Sequence, residues 1–112
     1  MISGIYYIIF KSDGGQAGDG LAVMDRGRIH GGDHRYLYGG RYWQEGYSLK
    51  AEILVSYYRG KFNSIFGPLS NFKLTLVGNC TGEGDFKATG HMVGQSQMKI
   101  SVEGQKQADL IE

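Results

Sequence analysis

The chain of 112 residues lacks most of what would announce a specialised chemistry. Its single cysteine, Cys80, cannot close an intrachain disulfide, which removes the usual staple of a small secreted domain and leads us to expect a reducing, cytoplasmic setting. No long hydrophobic run exists. The longest, residues 5–10, falls far short of the ~18 apolar residues a spanning helix needs, and without a basic stretch before it makes a poor signal peptide. Charge of one sign is missing too: 12 basic side chains meet 11 acidic ones. A net charge of +1 gives no broad basic field, so neither direct nucleic-acid binding nor attachment to an anionic membrane is expected. Helix signals are nearly absent, because glycine interrupts every stretch where apolar residues recur at three- and four-residue spacing.

What remains is a β pattern. Leu, Ile, Val and Phe make up about a quarter of the chain, enough to fold, and the length suits one domain over residues 1–112. From Tyr47 onward, Leu49, Ala51, Ile53, Val55 and Tyr57 alternate with Ser48, Lys50, Glu52 and Ser56, as in a half-buried strand. The alternation returns at Phe72, Leu74 and Leu76, at Phe86 and Ala88, and at Met98, Ile100 and Val102. Further strands are expected at 4–10, 21–24, 28–30 and 36–43. Asp25-Arg26-Gly27-Arg28 reads as a tight hairpin turn, residues 12–20 as a mobile exit loop, and residues 60–71, holding the only proline, as a long connection with room for one helical turn. Eight short antiparallel strands with mostly short connections imply an all-β, up-and-down barrel, since closure removes exposed sheet edges; a two-sheet sandwich is the alternative.

Two strands break the alternation. In the first, Tyr6, Ile8 and Phe10 oppose Ile5, Tyr7 and Ile9, and in the fourth Tyr36, Tyr38 and Tyr42 oppose Leu37, Arg41 and Trp43. A wall that is apolar on both faces needs a cover. Tyr and Trp are enriched at protein interfaces, so Tyr6, Ile8, Tyr36, Tyr38, Tyr42 and Trp43 are the expected anchors of a homodimer or other protein contact. The competing cover is the 60–71 loop or the tail at Leu110 and Ile111. Along the sixth and seventh strands the small residues Gly78, Ala88 and Gly90 beside Leu74 and Phe86 suggest space for a small apolar ligand in the lumen.

Candidate chemistry is thin. His30-Gly31-Gly32-Asp33-His34 gathers three metal-ligand types, yet a turn in which the two glycines take unusual dihedrals and Asp33 accepts backbone amides explains it better. The glycines at 13–20 lack the lysine and hydroxyl of a phosphate loop. Cys80 has no base near it in sequence, Ser64 and Ser70 lack the nucleophile-elbow setting, and only three His exist to serve as general base. The expectation is a protein without catalytic residues, cofactor or metal.

The order of motifs carries a resemblance. Gly4-Ile5-Tyr6-Tyr7-Ile8-Ile9-Phe10, Gly18-Asp19-Gly20-Leu21-Ala22-Val23, Gly27-Arg28-Ile29, Gly31-Gly32-Asp33 and Tyr38-Gly39-Gly40 resemble the GrlR-like family of negative regulators of type III secretion, over roughly residues 4–103. The resemblance implies a lipocalin-like eight-stranded barrel, commonly dimeric, that represses virulence-secretion genes by sequestering a transcriptional activator. The family's acidic activator-contact loop matches Trp43-Gln44-Glu45-Gly46-Tyr47 here, which carries one carboxylate, so that particular contact is not conveyed. The expectation is therefore a protein-binding regulator, with a carrier or sensor of a small apolar ligand as the alternative.

Overall fold

The computed structural model describes residues 1–111. Eight strands follow one another: β1 (Gly4–Ser12), β2 (Ala17–Asp25), β3 (Arg28–Gly32), β4 (Tyr36–Glu45), β5 (Ser48–Tyr57), β6 (Asn71–Cys80), β7 (Phe86–Met92) and β8 (Gln95–Ala108). Each pairs antiparallel with the next, and β8 returns to β1, so the expected eight-stranded up-and-down barrel closes without a free edge and without helix among the described residues.

Strand alternation decides which side chains meet inside. Leu49, Ala51 and Val55 of β5, Phe72, Leu74 and Leu76 of β6, Phe86, Ala88 and Met92 of β7, and Ile100 and Val102 of β8 form the buried core, while Lys50, Glu52, Lys73, Lys87 and Lys99 face water. The β2–β3 hairpin turns at Arg26 and Gly27, both at positive φ (49° and 83°), as a two-residue hairpin of matching twist requires.

Several boundaries differ from the expectation. Pairing of β1 with β2 runs out to Lys11 and Ala17, so the exit loop shrinks to 13–16. Tyr47 belongs to the β4–β5 turn and is two-thirds exposed rather than inward. The long connection, 58–70, has no helical turn but a small bridge, Ser64 to Gly67. Gly31 and Gly32 do not take unusual dihedrals; they are needed for proximity, since a Cβ on Gly31 would lie 2.1 Å from the Leu21 carbonyl oxygen.

The two ends of the barrel are built differently. At one end Tyr6 and Tyr42, each almost wholly buried, close the floor with Ile2. The Tyr6 hydroxyl donates to the Gly84 carbonyl (2.7 Å), Tyr42 donates to the Ile2 carbonyl, and the Ile2 amide donates to Gln44 Oε1. At the other end lie the β1–β2, β3–β4, β5–β6 and β7–β8 connections, and the β5–β6 connection is long enough to bend over the opening. Its Ile65, Phe66 and Leu69 pack against the core, with Phe66 edge-on to Phe72 at 5.6 Å.

Candidate functional site

Between floor and lid the lumen holds a cavity of about 340 Å³. Met24, Leu49 and Phe86 lie toward the floor, Ile8, Val55 and Leu74 line the walls, and Asp33, Arg35, Asn63 and Ser64 stand at the rim. Three alanines leave space on the walls: Ala22, Ala51 and Ala88. An apolar void of ~150 Å³ already stays dry and admits a benzene-sized guest, so this one has the size and lining for a small apolar ligand.

The expected lumen residues divide. Leu74, Phe86 and Ala88 line the cavity. Gly78 and Gly90 do not border it, because the space a side chain would use is filled by the next strand: a Cβ on Gly78 would lie 1.9 Å from the Lys87 carbonyl oxygen, and one on Gly90 1.8 Å from that of Thr75. Their smallness serves strand approach, not ligand volume. Cavity residues outside the expected set, Ile8, Met24 and Ile29 among them, come from β1 to β3, where parity along each strand was the available signal but its inward sense was not.

The expected interface residues are also corrected. Tyr6, Ile8, Tyr36 and Tyr42 point inward, at 0%, 7%, 3% and 1% exposure, and are core rather than surface anchors of the single chain. Burial is tolerated because each phenol finds an acceptor: Tyr36 donates to the Leu69 carbonyl (2.6 Å), alongside the Tyr6 and Tyr42 bonds at the floor. Tyr38 also points inward, to the rim, where it donates to Asp33 Oδ2 and stands edge-on to Phe10 at 6.4 Å. Burial, reinforced by that bond to Asp33, pushes its phenol far above the usual tyrosine range, so Tyr38 stays a neutral donor. Trp43 alone of the six faces outward and is half exposed.

Outside, the β4 stave lies open, with Leu37 and Trp43 half exposed, whereas Ile5, Tyr7 and Ile9 of β1 are half-buried. Tyr7, Leu21, Gly32 and Leu37 are successive cross-strand partners over β1 to β4, and Leu54 pairs with Gly39 beside them. Leu21, Leu37 and Leu54 are 53%, 50% and 44% exposed, and Ile111 at the tail is free of the barrel.

The His30–His34 turn serves structure. Asp33 Oδ1 accepts the amides of Arg35 and Tyr36, each at 2.8 Å, as expected, and the Asp33 carbonyl accepts the Tyr58 hydroxyl (2.7 Å). Among the described residues no three His, Cys, Asp or Glu side chains gather as metal donors. Cys80 is buried, and that burial pushes its thiol up, away from the reactive thiolate. No protein-family model matches the chain, and no curated protein is significantly similar to it.

Proposed function

We propose that the protein is a non-enzymatic carrier or sensor that holds a small apolar ligand in the barrel lumen. The observation that carries this reading is the cavity of about 340 Å³, walled by Ile8, Val55 and Leu74 and roofed by Ile65 of the long loop. Burying a ligand there gains roughly 25 cal/mol per Å² of apolar surface, with little reorganisation of a closed barrel wall. The test is fluorescence titration with N-phenylnaphthylamine, an uncharged dye that brightens in apolar surroundings. Saturable binding is expected, and Ala51→Phe, which fills the lumen, should abolish it while the protein still melts cooperatively. Equal dye binding by that variant, or no saturable binding by the parent, would reject the reading.

A second reading is favoured by a different observation. The uncovered outer band of Leu21, Leu37 and Leu54 is the kind of surface that a protein partner or a second copy covers, in keeping with the regulator that the GrlR-like resemblance implies. On this reading a homodimer, or capture of a transcriptional activator, uses the outer face of β1 to β5 rather than the buried tyrosines. Sedimentation of the parent and of Leu21→Ser/Leu37→Ser tests the dimer: a dimer that the double variant turns into monomer supports it, whereas a parent that sediments as a monomer argues against self-association.

A further inference from the structure

A second cavity, about 320 Å³, lies against the outside of the lid, and it is chemically unlike the lumen. It is bounded by the β1–β2 loop, by the lid and by the start of β8, and its lining is mixed: Gln16, Gln97 and Ser12 supply carboxamides and a hydroxyl, Asp13 and Lys99 an acid and a base, and Ile65, Phe66 and Met98 apolar surface. The two cavities share four lining residues: Gln16, Asn63, Ser64 and Ile65. The apolar lumen and this more polar, mixed chamber therefore adjoin along residues 63–65 of the lid and Gln16.

This arrangement suits a ligand with two ends. A chain filling the lumen and passing Ile65 would bring its end group among carboxamides and hydroxyls. The second cavity is bordered by one acid, Asp13, and one base, Lys99, and the lumen lining by two acids, Asp19 and Asp33, with Arg35. An ionised carboxylate or phosphate would meet an acid for every cation offered, and would lose hydration without a dedicated partner. Hydroxyl groups, which both donate and accept, fit the mixed lining. Some polar groups are already engaged: Ser64 Oγ donates to the Gly67 carbonyl (2.8 Å) and accepts the Phe66 amide, and Gln97 donates to Gln95 Oε1.

Resting on the lumen reading above, we propose that the ligand is a single-chain amphiphile with an uncharged, hydroxyl-bearing head, the tail in the lumen and the head in the polar chamber beside Gln97 and Lys99.

The test displaces N-phenylnaphthylamine from the intact chain with dodecanoyl glycerol, dodecanol or dodecanoic acid at about pH 8, where the acid is ionised. Dodecanoyl glycerol should compete at least about fivefold better than the acid. Gln97→Ala/Lys99→Ala, at two exposed positions, should weaken dodecanoyl glycerol about five- to tenfold, the loss expected for one or two hydrogen bonds, weaken dodecanol in the same direction, and leave the dye unchanged. An acid that competes as well as the glycerol ester, or a double variant that leaves the ester unaffected, overturns the inference while the lumen reading stands. If the dye itself fails to bind the parent, the lumen reading fails and this inference with it.

Discussion

The Tyr38 hydroxyl donates to Oδ2 of Asp33 at 2.5 Å, across the β3–β4 turn, and so ties the inner wall of β4 to the rim. The same carboxylate fixes the turn through its other oxygen, by the amides of Arg35 and Tyr36, and the Asp33 carbonyl anchors Tyr58 at the foot of the lid. One residue therefore sets the turn, the rim and the start of the loop that roofs the lumen.

Removing its side chain should cost more than an ordinary surface substitution. Asp33→Ala deletes three side-chain acceptor contacts and leaves a partly buried phenol unpaired, for a loss of about 2–4 kcal/mol. Tyr38→Phe leaves the amide bonds intact and should lose only about 1–2 kcal/mol. Urea unfolding of both variants measures the order. Equal stabilities would mean that the Tyr38 bond, not the turn, carries the whole effect.

Tyr6 is one of the buried phenols, with Tyr38 and Tyr42, whose raised pKa values set an alkaline limit. Its phenol is pushed up to about 12, chiefly by burial and then by the nearby Cys80, Tyr42 and Asp85, whereas an unfolded tyrosine ionises near ~10. The folded state holds this proton more tightly, so the contribution is fully present below pH ~10 and is lost as pH rises from ~10 toward 12. The melting temperature should be flat from neutral pH to about 9 and fall above ~10. Tyr6→Phe should shift that fall to higher pH, while losing the bond to Gly84. Unchanged alkaline profiles in parent and variant would show that another group controls the limit.

Much of the barrel was legible because β5 to β8 alternate one apolar with one polar side chain, and one such period admits only one inward face. The β1 and β4 strands carry aromatic or aliphatic residues on both faces, so parity separated Tyr6 from Tyr7 and Tyr42 from Trp43 without saying which pair turned inward. That choice is made by distant acceptors, the carbonyls of Gly84 and Ile2, which no local pattern reveals. The roles of Gly78 and Gly90 were hidden for a related reason: register sets them against the Lys87 and Thr75 carbonyls, and a small residue reads alike whether it leaves a void or lets a strand approach. The outer band was likewise obscured, since Leu21, Leu37 and Leu54 sit on separate strands and become neighbours only through cross-strand pairing.

Those glycines make a sharp prediction. Gly78→Ala and Gly90→Ala place a Cβ inside the contact distance of a backbone carbonyl, which cannot move aside as a flexible side chain would. Each should lose roughly 2–3 kcal/mol by forcing the strands apart. Gly39→Ala is the control, because a Cβ there meets nothing within 4 Å. It should change stability by less than about 1 kcal/mol, as an alanine replaces a strand glycine. Chemical denaturation of the three variants measures the contrast, and equal losses would mean that these glycines are there for backbone freedom and not for room.

Stability and binding should pull in opposite directions at the lumen wall. Ala51 lies between its cross-strand partners Tyr42 and Leu76 and borders the cavity of about 340 Å³, so a leucine there has space on its inner side. At most core positions added methylenes cost ~1–3 kcal/mol through strain. Here filling unpacked volume should outweigh strain, and Ala51→Leu should gain about 0.5–1.5 kcal/mol. Gly104→Ala differs because the Phe86 ring stands 2.1 Å from where its Cβ would lie, and it should lose stability. The ligand needs the very volume that the larger side chain would take, so Ala51→Leu should bind N-phenylnaphthylamine at least about tenfold more weakly, matching roughly 1.4 kcal/mol. Calorimetric melting and dye titration on the same sample decide the matter. A variant that gains stability and keeps full affinity would place the ligand away from the β5 wall.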